Sequence, residues 1–332
     1  MSHYHLYAIG NALVDTEYEV SDELLSAMGV SKRHMTLIDT PQRVQLLTHV
    51  QGLHARRTGG GSAGNTVVAL AQLGGKAFYS CRVADDALGQ FYAQDLQTNG
   101  VATNLTHTRP SAGQTGSCMV LVTPDAERSM CTFLGATSQL DASALHPEDI
   151  AKSRIYYMEG YLAASPTGLQ AAVEGRRIAK QHQVATALTL SDVSMINFCK
   201  AGLEAMIGDG LDYLFANEEE AQTWCASTDL DAIIGQLAPL AKTVCLTRGP
   251  QGCIVVQGGT RTEVPAVPTQ AVDTNGAGDM FAGTFLFGIT HGHTPAQSAA
   301  LANRTAAAVV SQHGNRLTAT QMRAMYASFD KS

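Results

Sequence analysis

The chain has 332 residues, with 22 Lys and Arg against 29 Asp and Glu for a formal net charge of −7, and it is 45% hydrophobic but only 15% charged. That length can bury a sizeable core, as one large domain or two unequal ones, and the apolar fraction excludes a disordered chain. The acidic balance argues against nucleic acid or an anionic membrane surface as a partner, because neither offers the opposite charge.

Residues 6–9, 77–81, 155–158, 184–190, 213–216 and 244–247 read as buried strands, most of them followed by a helical pattern. This alternation predicts an α/β fold with a parallel sheet covered by helices on both faces. Residues 14–20, 34–38, 115–122 and 129–134 alternate polar and apolar instead, and 116–134 reads as a hairpin turning at Pro124-Asp125. They predict a small β subdomain built from two excursions, 14–53 and 114–135, off a large domain of 1–13, 54–113 and 136–332. Thr40-Pro41 and Ser165-Pro166 place a hydroxyl before a proline, as at a helix N-cap, and Thr294-Pro-Ala-Gln297 adds a capping-box glutamine. The Ala-rich run 294–312 predicts a smooth helix, packed closely on the sheet or against a flat ligand.

No apolar run approaches the roughly 20 residues that span a bilayer. Met1 to Asn11 lacks the basic-then-apolar pattern of a signal peptide. Seven cysteines, at 81, 118, 131, 199, 225, 245 and 253, form no C-x-x-C pair and predict reduced, mostly buried thiols in a cytoplasmic protein.

Five segments carry chemistry. Ile9-Gly-Asn11-Ala-Leu-Val-Asp15 follows the first strand, where an α/β sheet places its ligand crevice; Asp15 either accepts from vicinal hydroxyls or closes a turn. Thr58-Gly-Gly-Gly-Ser-Ala-Gly-Asn65 holds a formal Gly59-x-Gly61-x-x-Gly64 dinucleotide fingerprint. Residues 54–58 do not read as a buried strand, however, and no strand-end acid follows, Asp85 being nearest. The run reads better as a glycine wall beside a polar ligand, with Asn65 as donor and acceptor. Asn217 and Glu220 have the spacing of one helical turn, which suits a water-held Mg²⁺ or a solvated acidic helix start. Thr247-Arg-Gly-Pro-Gln-Gly252 puts the cation Arg248 at a strand-to-turn junction, facing phosphate or solvent.

The strongest signal is Asp273-Thr-Asn-Gly-Ala-Gly-Asp279 before the helical run 280–289. Gly276 and Gly278 let successive N–H groups open a helix, where the dipole favours an anion. Asp279 beside them supplies a base, so the pair has the parts for phosphoryl transfer to a hydroxyl. A plain Gly-rich turn with an acid in the first helical turn is the structural alternative. No G-x-x-x-x-G-K-[ST] run occurs, which excludes a P-loop kinase, and the pairs His3/His5 and His291/His293 read as surface histidines.

These motifs, in this order and spacing, resemble the ribokinase-like (PfkB) carbohydrate kinase family, which includes ribokinase, fructokinase and adenosine kinase. The resemblance spans nearly the whole chain. It implies a three-layer, doubly wound, mostly parallel sheet with a small β-rich lid formed by two insertions. It implies Asp279 as catalytic base and Gly276, Ala277 and Gly278 as anion hole. Asn11, Asp15, Gly60, Gly61, Ser62 and Asn65 match the substrate-binding positions. Asn217 and Glu220 match the pair that positions Mg²⁺ and phosphate, while Thr247, Arg248, Gly249, Gly252 and Asn303 fall where the family binds ATP. Asp273, Asn275 and Gly314 fall where many members hold a monovalent cation, usually K⁺. Val67 and Ala84 depart from the family's first signature.

The opening Gly10–Asp15 looks like the adenosine-kinase branch, as does Met158–Tyr161 with Leu188–Asp192, whereas the glycine run is shared with plain sugar kinases. Phe133, Leu134 and Tyr161 are candidates for an apolar wall against a base. The expectation is an ATP-dependent kinase of a ribose-containing nucleoside, monomeric or homodimeric, with no nucleic-acid or membrane partner. A free-sugar kinase, a non-catalytic ligand sensor and a dinucleotide-dependent oxidoreductase are the alternatives.

Overall fold

A computed structural model describes residues 3–32, 35–106, 111–125 and 127–330. Residue 34 of the expected strand 34–38 lies outside them. The strands are β1 (Tyr4–Ile9), β2 (Leu13–Glu19), β3 (Met35–Leu37), β4 (Ala55–Gly60), β5 (Ala77–Ser80), β6 (Ala102–Thr103), β7 (Ser117–Val122), β8 (Arg128–Phe133), β9 (Ser153–Glu159), β10 (Ala185–Thr189), β11 (Leu211–Asn217), β12 (Ala241–Thr247), β13 (Cys253–Gln257) and β14 (Thr260–Val264). The helices are α1 (Asp22–Ala27), α2 (Thr40–His49), α3 (Ser62–Gln72), α4 (Ala87–Thr98), α5 (Pro147–Ala151), α6 (Pro166–Gln181), α7 (Val193–Ile207), α8 (Glu218–Cys225), α9 (Leu230–Leu237), α10 (Ala277–Thr290), α11 (Pro295–Val310) and α12 (Ala319–Phe329).

Among the described residues the large sheet runs β14-β13-β12-β11-β10-β9-β1-β5-β6, parallel except at β13 and β14. Its central strands are continuously apolar because helices cover both faces. One face packs α3, α10, α11 and α12 through Val67, Leu70, Phe281, Phe285, Leu301 and Met322. The other packs α5–α9 through Ile150, Ile178, Leu203, Trp224 and Ile233. The winding reverses at β1, with β5 and β6 on one side and β9–β12 on the other. A crevice therefore opens beyond the carboxyl ends of β1 and β9, where adjacent crossovers part in opposite directions.

The small sheet runs β3-β8-β7-β2-β4. Period-2 alternation turns Tyr18, Met119, Leu121 and Cys131 toward α1 and α2, where they meet Leu25, Met28 and Leu46. The opposite face, with Leu13, Asp15, Cys118, Met130 and Thr132, looks onto the crevice.

Two expectations need correction. Residues 55–60 form β4, paired antiparallel with β2 (Leu13↔Gly60, Tyr18↔Ala55), so they belong with the small sheet and not with the expected large-domain segment 54–113. As an edge strand with exposed Arg56 and Arg57, β4 lacks the apolar signal of a buried one. At α2 the cap is Asp39, not Thr40. The Asp39 carboxylate accepts the Gln42 N–H at 2.9 Å and Gln42 returns a bond to the Asp39 N–H, leaving Thr40 and Pro41 inside the first turn. Ser165 and Thr294 cap their helices as expected. All seven cysteines are free, and only Cys199 is not buried. Among the described residues no helix is long and apolar enough to cross a membrane.

Candidate active site

A cavity of about 600 Å³ lies between the carboxyl ends of the central strands, the starts of α3 and α10, and the inner face of the small sheet. It collects Asn11, Asp15, Gly61, Ser62, Asn65, Asn217, Glu220, Thr247, Asn275, Gly276, Ala277, Gly278 and Asp279 from the sequence expectation.

Asp279 sits in the first turn of α10. The Ser62 hydroxyl donates to its Oδ1 at 2.6 Å and Asn65 Nδ2 donates to its Oδ2 at 2.9 Å. The glycine run thus reaches the acid across the crevice through the first turn of α3. Gly61 permits this turn. Its φ is +85°, and a Cβ there would fall 2.0 Å from the Asn11 carbonyl oxygen. Burial pushes the Asp279 carboxyl up to about 6, against the Ser62 and Asn65 hydrogen bonds and the charge of Arg316.

Gly276 caps α10 at φ +76°, and a Cβ there would meet the Asn315 carbonyl oxygen at 2.6 Å. The Ala277 N–H closes this turn onto Thr274 O at 3.3 Å. Among the described residues the amides of Gly276, Gly278 and Asp279 donate to nothing in the protein. The free donors are therefore shifted from the expected trio: Ala277 is spent on the turn, and Asp279 adds its own N–H. A Cβ on Gly278 would meet no atom within 4 Å, so the protein itself leaves that space open. Free amides at a helix start facing an open space fit a phosphoryl group.

Asp15, on β2, receives Asn315 Nδ2 at 2.9 Å. Burial pushes Asp15 up to about 7, with Arg316 and Arg128 opposing and Asp279 adding to it. Glu159 closes β9 beneath the same cavity. It accepts the Asn11 N–H and the Ala63 N–H, each at 2.8 Å, and so supplies the cap that Gly61 cannot give α3. Burial raises it to about 7 as well.

Asn217 and Glu220 bind each other. Asn217 Oδ1 accepts the Glu220 N–H at 2.8 Å, while Glu220 accepts the Asn217 N–H at 3.0 Å and its Nδ2 at 2.7 Å. Glu220 is buried, not solvated, and its carboxyl is pushed up to about 7. Among the described residues no three ligating side chains converge on a metal position. The pair suits a Mg²⁺ that keeps its waters and is held mainly through phosphates.

The remaining expected ATP residues stand apart from the cavity lining. Arg248 Nε pairs with Glu218 at 2.9 Å, and Gly249 to Gly252 form a tight turn. Asn303 is buried and spends its Nδ2 on the Val264 and Pro265 carbonyls at 3.1 and 2.9 Å, so it anchors α11 to the end of β14. Gly60 ends β4 behind the cavity. Of the expected wall, Leu134 and Tyr161 line the cavity, while Phe133 lies under the Arg43 guanidinium at 5.3 Å.

The monovalent-cation expectation meets an obstacle. Asp273 Oδ1 accepts the Asn275 N–H at 3.1 Å, Oδ2 accepts the Gly314 N–H at 3.0 Å, and Arg128 Nη1 lies 3.1 Å from Oδ2. A guanidinium already faces this carboxylate, and like charges repel strongly at such range. These residues do not fit a monovalent cation.

Sequence reading missed Arg128, Glu159, Asn315 and Arg316. Arg316 Nε donates to Asn65 Oδ1 at 2.8 Å and Nη1 pairs with Asp95 at 2.6 Å. Read locally, His313-Gly-Asn-Arg316 is only the polar turn that ends a helix.

A model described as the pfkB family carbohydrate kinase matches residues 31–322. The chain belongs to the pfkB family. It is 28% identical to the adenosine kinase of Saccharomyces cerevisiae (strain ATCC 204508 / S288c) over 309 residues, covering 86% of this chain and 89% of that one. The crystal structure of adenosine kinase from Sinorhizobium meliloti is 36% identical with a TM-score of 0.87, covering 99% of each chain. A "probable sugar kinase protein" from Rhizobium etli CFN 42 is 34% identical with a TM-score of 0.89, covering 99% of this chain and 100% of that one. As a pfkB kinase the protein is a phosphotransferase with an alcohol acceptor, acting on a nucleoside or a sugar with ATP as donor. The dinucleotide-oxidoreductase alternative falls with this assignment. Its glycine run begins inside β4, an antiparallel edge strand of the small sheet, rather than following a strand of the parallel sheet.

Proposed function

We propose that this kinase phosphorylates the hydroxymethyl group of a ribose-containing nucleoside, with adenosine as the first substrate to test. The observation that carries the reading is the division of the cavity. Its inner end is polar, with Asp15, Asn65 and Asn315; Asn315 Oδ1 is buried with no partner among the described residues. Its lid side is apolar, with Met35, Leu37, Met130 and Leu134 across from Tyr161 and Met195. A ribose would satisfy the first region and leave the second empty, whereas a nucleoside base would cover that apolar surface. The relatives named adenosine kinase support the same reading.

In this mechanism Asp15 and Asn65 hold the sugar hydroxyls and set the hydroxymethyl against Asp279. Asp279, kept in place by Ser62 and Asn65, takes the hydroxyl proton as the oxygen bonds to the γ-phosphorus and the bond from that phosphorus to ADP breaks. A weak base suffices, because the proton leaves late in a loose transition state. The amides of Gly276, Gly278 and Asp279 donate to the transferring phosphoryl oxygens. Asn217 and Glu220 would hold Mg²⁺ through water, where the ion offsets phosphate charge. The lid face shuts water out of the cavity.

An ADP-release screen with Mg²⁺ across adenosine, inosine, guanosine, ribose and fructose tests the reading. Turnover on nucleosides is expected. Turnover on ribose or fructose with none on nucleosides transfers the assignment to a free-sugar kinase, and ligand binding with no ADP release from any acceptor makes the chain a sensor.

A further inference from the structure

Arg128 opens β8 on the lid, and its guanidinium bridges two carboxylates. Nη2 lies 2.9 Å from Glu17 of β2, and Nη1 lies 3.1 Å from Asp273 at the head of the Asp273–Asp279 loop. The bridge is well shielded, with side-chain exposures of 13% for Arg128 and 3% for Asp273. Asp273 in turn fixes the loop: it accepts the Asn275 N–H, one residue before the Gly276 cap of α10, and the Gly314 N–H, one residue before Asn315. The lid, the anion-binding loop and the Asn315-Arg316 segment therefore meet at a single buried carboxylate.

We propose that the Arg128 guanidinium stands where other family members place a monovalent cation, and that it orders the anion-binding loop from the lid, making this kinase independent of K⁺. The geometry favours this over an ion. A guanidinium offers several N–H donors in a fixed plane and so can serve two carboxylates at once. A cation approaching Asp273 would compete with the Gly314 N–H and the Arg128 guanidinium at Oδ2 and with the Asn275 N–H at Oδ1, and it would face the positive charge of Arg128. Lid placement and phosphoryl binding are then coupled through a covalently tethered charge. Arg128 is a positioning residue here, acting on the Gly276–Asp279 amides through Asp273.

The kinetic part of the test rests on the kinase reading, and the thermal part does not. Melting temperature and ADP release are measured in potassium, sodium and choline chlorides at equal ionic strength, for the wild-type chain, Arg128→Ala and Arg128→Lys. The wild type is expected to melt at the same temperature and turn over at the same rate in all three salts. Arg128→Ala should lose roughly tenfold in rate in choline chloride, since a small misplacement of the loop is costly. Potassium should recover part of that loss and raise the melting temperature of this variant alone. Arg128→Lys, which keeps the charge but cannot span both acids, should retain the fold with a reduced rate, and it serves if Arg128→Ala does not fold. Activation or stabilisation of the wild type by potassium overturns the proposal, as does either variant working at the wild-type rate in choline chloride. A wild type inactive on every acceptor overturns the kinase reading instead, and the salt dependence of melting still judges Arg128.

Discussion

Arg316 decides which way Asn65 faces. Its Nε donates to Asn65 Oδ1 at 2.8 Å, so the amide nitrogen of Asn65 is the end left to meet Asp279 at 2.9 Å. Without that anchor the Asn65 amide is free to turn its oxygen toward the acid, exchanging a donor for a repelling dipole. Arg316→Met should lower kcat by roughly 10- to 100-fold with a smaller change in KM. It should also cost about 2–3 kcal/mol of stability, because Asp95 loses its partner while staying partly shielded. Steady-state kinetics and denaturant melts check both. In a double-mutant cycle with Asn65→Leu the kinetic losses should be far from additive.

Asp279→Asn removes the proton acceptor while keeping the shape of the side chain. Turnover should drop by roughly 10²- to 10⁴-fold, with unchanged circular dichroism. The melting temperature should hold or rise, because a carboxylate that burial disfavours is replaced by a neutral amide. Full activity in this variant would remove Asp279 from the chemistry.

Rate and stability should respond to pH in opposite directions. Asp15, Glu159 and Glu220 are pushed up to about 7 and Asp279 to about 6, from ordinary values of 3.8 for aspartate and 4.5 for glutamate. Between roughly pH 4 and 7 the native state thus holds more protons than the unfolded chain, and stability falls as pH rises. Asp279 must lose its proton to act as a base, so kcat/KM should rise with pH through about 6 and then level off. Ser62→Ala should move that limb upward, since it deletes a hydrogen bond that favours the charged form. Thermal melts and a pH–rate profile on the same preparations check the crossing trends.

Gly278→Ala separates ligand space from protein packing. Gly278 is absent from the positive-φ glycines, and a Cβ there touches nothing. Stability should therefore hold or improve by up to about 1 kcal/mol through reduced freedom of the unfolded chain. The added methyl stands in the space left beside the free amides, so kcat/KM for ATP should fall at least tenfold. Loss of stability without loss of activity would show that the glycine serves the fold.

The strands that build the crevice were legible because burial on both faces writes a continuous apolar run. The Asp273–Asp279 segment was legible because its turn and its chemistry lie within seven consecutive residues. β4 was not, since a strand at a sheet edge bears exposed Arg56 and Arg57 and owes its existence to pairing with β2. Arg316 was invisible for a related reason: its partner Asn65 is 251 positions away. Asn303 falls where the family resemblance implies ATP binding, yet its amide holds two backbone carbonyls at the end of β14, a use no local pattern distinguishes from ligand binding.

Glu159 has a practical consequence for anyone who would transplant the glycine-rich turn. The loop and its helix look like a self-contained cassette, but the Ala63 amide in the first turn is secured by a side chain from the far bank of the crevice. Grafted alone onto another scaffold, the cassette would arrive without its clasp, and a recipient would have to provide an equivalent acid at the tip of a neighbouring strand.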